Sequence, residues 1–140
     1  MARFFGRFEH TLDEKGRLTL PAKFRGAFER GGYLTQGGGG CLALWAPEEF
    51  EQQMEAMAAR AGQGPAERDL VRLWAASSAD VVPDRQGRIS LPSYLRTFAG
   101  LGVEVLVHGA IDRVELWDPE RWRARVAPAE ARLAEGGEWW

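Results

Sequence analysis

Residues 12–25, LDEKGRLTLPAKFR, return as residues 83–96, PDRQGRISLPSYLR, at a constant offset of 71. The match pairs Asp13 with Asp84, Gly16 with Gly87, Arg17 with Arg88, Pro21 with Pro92 and Arg25 with Arg96. At an offset of 72 a second block repeats: LALWAPEEF at 42–50 and VELWDPERW at 114–122. Two matched blocks in the same order make the chain of 140 residues a tandem duplication, although two copies are too few for a solenoid. A unit of about 70 residues is only marginally able to bury a core of its own. Two similar units can pair about a pseudo-twofold axis and share one core, which is the simplest physical reason for the repeat.

Each copy reads locally in the same way. GRLTL and GRISL alternate in polarity and are rich in strand formers, after turn chemistry at Asp-x-x-Gly. The proline that follows cannot donate to a ladder, so it ends the strand and opens a short helix, 21–29 and 92–99. Strands are then predicted at about 33–36 and 41–45, joined through GGGG, with counterparts at about 102–108 and 112–117. Pro47 and Pro119 open longer helices whose first-turn acids complement the dipole. Asp118 suits the N-cap, and Ala46 does not. Phe50, Met54 and Met57 mark the core face of the first of these helices. Trp122, Val126 and Leu133 mark the second, with Pro128 predicted to bend or break it. A further helix over about 66–76, carrying Leu70, Leu73 and Trp74, links the copies. The organisation expected is a first half at 1–62, a linking helix at 63–77 and a second half at 78–140. The Met and Trp residues read as core rather than as a cofactor site, and no cofactor is expected.

Composition excludes several classes. Hydrophobic residues make up 45% and charged residues 27%, the balance of a globular chain rather than a disordered one. No apolar run approaches the roughly 18–20 residues that span a bilayer. The N-terminus MARFFGRFEH lacks the apolar stretch of a secretory signal, so a cytoplasmic location is expected. Cys41 is alone, which excludes an intrachain disulfide. Two histidines, His10 and His108, and one cysteine are too few and too scattered for a metal-ligand pattern. TQGGGGC lacks the Gly-Lys-Ser/Thr of a phosphate loop, no serine lies in a Gly-x-Ser-x-Gly context, and Glu48-Glu49 belongs to a helix start. An enzyme, and with it a small-molecule substrate, is therefore not expected. Sixteen arginines stand against two lysines, and there is no asparagine; high-GC coding or a hot habitat would each explain that bias.

The net charge of −2 hides an uneven distribution. Residues 1–30 carry seven Lys/Arg against four Asp/Glu, and residues 31–69 carry two against six. Positive charge is thus local, as a focused nucleic-acid patch requires. Lys15 and Arg17 on one turn, and Arg85 and Arg88 on the other, place cations on a thin element able to approach a groove. Gly16 and Gly87 allow backbone conformations that a Cβ would resist. An Arg fork matches guanine O6 and N7, whereas Lys15 suits phosphate. Arg7, Arg25 and Arg96 stand in positions to flank. The other reading of each Asp-x-x-x-Arg motif is an ion pair that fixes the turn. Asp13 and Asp84 fit that second role, because a carboxylate repels phosphate; for Arg17 the residues alone leave both readings open. Arg25 and Arg96 read more readily as solvated helix charges or interface partners.

With these motifs in view, the chain resembles the MraZ family of bacterial transcriptional regulators, and its halves resemble the swapped-hairpin domains of AbrB/SpoVT-type DNA-binding proteins. The resemblance rests on the paired Asp-x-x-x-Arg motifs, on FFGRFEHTLD, RTFAGL and VELWDPE, and covers nearly the whole chain. It implies an α+β fold in which two tandem swapped-hairpin halves form an intrachain pseudo-dimeric β-barrel with peripheral helices. It also implies a ring-shaped homo-oligomer, associated with the nucleoid, that binds double-stranded DNA at short G-rich direct repeats near the division and cell-wall gene cluster. Under it, Lys15 and Arg17 turn from open candidates into DNA contacts, with Arg88, Arg85 and Arg7 beside them. Lys15 becomes Gln86 in the second motif, so the two tips should not bind equally, and the first is expected to be the stronger. The alternative function is an oligomeric scaffold that does not touch DNA. Trp139 and Trp140 at the end of the chain carry no assignment.

Overall fold

A computed structural model describes residues 1–136; Trp139 and Trp140 lie outside the described residues. The described residues form eight strands and five α-helices. In the first half these are β1 (Arg7–Thr11), β2 (Arg17–Thr19), α1 (Ala22–Arg25), β3 (Gly32–Gly37), β4 (Cys41–Trp45) and α2 (Pro47–Ala61). The helix α3 (Pro65–Ser77) follows, and then β5 (Ala79–Val81), β6 (Arg88–Ser90), α4 (Ser93–Ala99), β7 (Glu104–Gly109), β8 (Val114–Trp117) and α5 (Pro119–Ala134). A single 3-10 turn, Gly26–Phe28, extends α1.

Six strands make one antiparallel sheet in the order β1-β7-β8-β4-β3-β5, and β2 and β6 make a separate two-stranded ribbon. The closed barrel is therefore corrected to an open sheet with a ribbon beside it. The ribbon is short, three residues a side, and an isolated Leu12–Leu18 bridge ties β2 back to the end of β1. Pairing crosses between the copies at four places. β1 lies on β7, β4 lies on β8, β5 lies on β3, and β2 lies on β6. Neither copy completes its sheet without the other.

Repeat-matched residues meet in one core. Leu18 and Ile89, Leu20 and Leu91, Phe24 and Leu95, and Leu44 and Leu116 are all buried in the same cluster. Each such side chain contributes roughly 1.5–3 kcal/mol by leaving water. Phe4 adds an aromatic group that the second copy lacks, stacking on Phe28 and meeting Phe24 edge-on. On the outer sheet face, Tyr33, Phe50 and Trp74 stack in series and fasten α2 and α3 to the sheet.

The helices depart from the sequence reading in detail. Phe50 and Met57 are buried, but Met54, Leu70, Leu73 and Leu133 are exposed. α5 continues through Pro128 without a break, and no residue of it is fully buried. A helix lying on the surface tolerates that proline because the main-chain carbonyl it leaves unpaired can be hydrated. Asp118 caps α5 by accepting a hydrogen bond from the Arg121 main-chain N–H at 3.0 Å, and Ala46 gives α2 no side-chain cap.

Candidate nucleic-acid interface

The two basic turns flank the β2–β6 ribbon. Arg17 faces Ser90, Leu18 faces Ile89, and Thr19 faces Arg88. Strand alternation sends Leu18 and Ile89 into the core, 0% and 1% exposed, and turns Arg17, Thr19, Arg88 and Ser90 outward on one face. The two guanidinium-bearing positions are offset by two residues, roughly 7 Å along the ribbon. Because the strands are antiparallel, the turns 13–16 and 84–87 sit at opposite ends of that ribbon. What the sequence displays as two separate motifs is one surface.

Each turn is built by its aspartate. Asp13 Oδ1 accepts from the main-chain N–H groups of Lys15 (3.0 Å) and Arg17 (2.9 Å), and Oδ2 accepts from Arg17 Nε at 2.7 Å. Asp84 repeats the pattern with Gln86 (2.9 Å), the Arg88 N–H (3.0 Å) and Arg88 Nε (2.7 Å). The Arg17 main-chain N–H holds the Asp13 carboxyl below its ordinary range, aided by the Arg17 side chain and the Lys15 N–H against the opposing pull of partial burial. Asp84 is lowered in the same way, first by the Arg88 main-chain N–H. Both aspartates therefore stay ionised and fix their arginines through Nε, and among the described residues the Nη groups of Arg17 and Arg88 make no hydrogen bond.

Gly16 and Gly87 take φ of +72° and +79°, a region that favours glycine. A Cβ on Gly16 would lie 2.8 Å from Arg96 Cζ, and one on Gly87 would lie 2.5 Å from Arg25 Nε. Arg25 and Arg96 thus lie against the turns, a placement that sequence reasoning did not find, since neither residue is near its glycine in the chain. Lys15 and Arg85 are exposed at the turn ends and, among the described residues, form no ion pair. Arg7 is not brought to this surface. It stands at the far end of β1 opposite His108, about 20 Å of strand away from Asp13.

Two buried titratable groups elsewhere, Glu115 and Cys41, are committed to structure. Glu115, 8% exposed, accepts from His108 Nε2 at 2.8 Å, Trp117 Nε1 at 3.0 Å and Arg113 Nε at 3.1 Å. Burial raises its pKa, but the His108 and Trp117 hydrogen bonds and the Arg113 charge outweigh burial and bring it to about 2. Burial pushes the Cys41 thiol up to about 12, so it stays protonated and unreactive. Among the described residues no cluster of potential metal ligands occurs and no helix is long and apolar enough to cross a membrane.

The described residues thus form a tandemly repeated α+β chain with an arginine-bearing two-stranded ribbon beside its main sheet. The family model described as "MraZ protein, putative antitoxin-like" matches residues 4–73 and again 76–138. The "Transcriptional regulator MraZ" of Frankia alni is 44% identical over 135 residues, 96% of this chain and 94% of its own length. Its namesake in Micrococcus luteus is 42% identical with the same coverage, and that of a Nocardioides strain is 42% identical over 132 residues, 94% and 92% of the two chains. The chain belongs to the MraZ family, whose members named here are transcriptional regulators, a non-enzymatic role.

Proposed function

We propose that this chain is a cytoplasmic, nucleoid-associated transcriptional regulator that binds double-stranded DNA through the outer face of the β2–β6 ribbon. One observation carries the reading: Arg17 and Arg88 share that face, with Lys15 and Arg85 at its two ends and free of carboxylate partners among the described residues. A two-stranded ribbon is narrow enough to enter the major groove. There, the Nη groups of Arg17 and Arg88 can meet guanine O6 and N7, while Lys15 and Arg85 meet phosphates. G-rich sites are a chemically sensible target for such a surface. The crossing of strands between the copies supports reading the fold as two exchanged hairpins that present both turns together.

A single ribbon makes few contacts. Assembly into a ring would make later contacts intramolecular and raise affinity by roughly 10²–10⁴, with direct repeats in the promoter of the division and cell-wall genes matching successive subunits.

The test is footprinting of the full-length protein on DNA upstream of its own gene across a salt series. Affinity is expected to fall steeply with salt, each neutralised phosphate adding about 0.9 to the log–log slope. Arg17→Ala is expected to weaken promoter binding by about tenfold or more and to relax base preference. Lys15→Ala is expected to weaken all sequences alike and to reduce the salt slope by about one. Unchanged binding by both variants, with assembly intact, would favour an oligomeric scaffold instead.

A further inference from the structure

We infer that Arg25 and Arg96 are positioning residues that act crosswise, Arg96 of the second copy setting the Asp13–Arg17 turn and Arg25 of the first copy setting the Asp84–Arg88 turn. Arg96 leaves α4 and anchors its Nε on the Leu91 carbonyl at 3.0 Å, and Arg25 anchors on the Leu20 carbonyl at 2.9 Å. The anchored guanidinium of each then lies on the glycine of the opposite turn, Gly16 for Arg96 and Gly87 for Arg25. Both glycines are buried although they belong to projecting turns. The main chain crosses at the same places: Leu91 N–H donates to the Gly16 carbonyl at 3.0 Å and Leu20 N–H to the Gly87 carbonyl at 2.8 Å.

The geometry occurs twice, at equivalent positions of the two copies, so it follows from the pairing of β2 with β6 rather than from a chance side-chain placement. Among the described residues neither Arg25 nor Arg96 pairs with a carboxylate. Their charge is therefore added to the turn of the other copy. An arginine suits the task because its planar fork lies flat against a glycine while Nε donates to a carbonyl; a lysine keeps the charge but has neither feature. The consequence is that neither turn is a property of its own copy. The inference concerns the turns themselves and rests on the proposed function only for their use on DNA.

The experiment uses the ¹⁵N-labelled full chain and its Arg96→Ala, Arg25→Ala, Arg96→Lys and Arg25→Lys variants, each first confirmed folded by thermal unfolding. Arg96→Ala is expected to shift the Gly16 amide signal and speed exchange at Leu91, leaving Gly87 and Leu20 unchanged. Arg25→Ala is expected to do the reverse. The lysine variants should reproduce the same crossed pattern, and they carry the test should an alanine variant fail to fold. Affinity for the promoter fragment is expected to fall about tenfold in each alanine variant, with the lysines recovering only part. A general loss of stability would disturb both glycines together, so equal changes at both turns, changes at the turn of the same copy, or no change would overturn the inference. Failure of the unmodified chain to bind DNA would overturn the proposed function and leave the crossed pattern to be decided by the spectra alone.

Discussion

At the scale of single residues, the turn is decided by one carboxylate and one glycine. Asp13 and Asp84 each satisfy two main-chain N–H groups and one Nε, so their charged forms are favoured in the fold. Lowered carboxyl pKa values stabilise the turn at every pH above the ordinary aspartate range, and that stability is lost as pH falls through the folded values. The side-chain carboxyl signals of both aspartates are expected to titrate with midpoints below 3.8, the reference value for the group; midpoints at or above it would contradict the hydrogen-bond pattern. Gly87→Ala tests the other half of the design. The substitution imposes a Cβ at φ +79° and against Arg25, and is expected to cost about 1–2 kcal/mol in thermal or urea unfolding. The pairing of Asp with Arg was visible in the sequence because the two are four residues apart. The contact of Gly87 with Arg25 was not, because it joins residues of different copies.

Elements show where polarity pattern suffices and where it does not. β2 and β6 alternate cleanly between core and solvent, and their short length still fixes which arginines face outward. The brief strand β5 carries little pattern of its own and is defined by pairing with β3. The stripes on α2 and α5 read as core-facing, yet Met54 is 43% exposed and Leu133 46%. Periodicity marks an apolar face without saying what covers it. The β7–β8 hairpin holds the most demanding polar cluster, with Glu115 receiving donors from His108, Arg113 and Trp117. Glu115→Gln removes the charge that Arg113 needs and replaces an acceptor with a donor. It is expected to destabilise the fold by about 3 kcal/mol at neutral pH, read by denaturant unfolding. In the parent chain the charge contribution of Glu115 should be complete above about pH 4.5 and fade as pH falls toward about 2.

For the whole molecule the duplication matters most. The two copies share a single cluster in which Leu18 lies with Ile89 and Leu20 with Leu91, and both outer strands are paired with the opposite copy. Residues 1–77 expressed alone would leave β1 and β2 without their partners β7 and β6. Such a fragment is expected to give no folded monomer by circular dichroism and sedimentation; a cooperatively unfolding monomer would show that each copy owns its core.

The repeat, the strands, the proline-opened helices and the basic turns are all local facts, carried by spacing and polarity within about fifteen residues, and the sequence by itself determines them. It also determines membership in the family, because the matched motifs run the length of the chain. Tertiary structure alone decided that the sheet stays open, that Arg7 is remote from the turns, and that Arg25 and Arg96 lie on the turns of the opposite copies. The physical reason is that these outcomes depend on which strand edge finds which partner across 70 or so residues. That choice is made by burying one common core, and no local pattern encodes it.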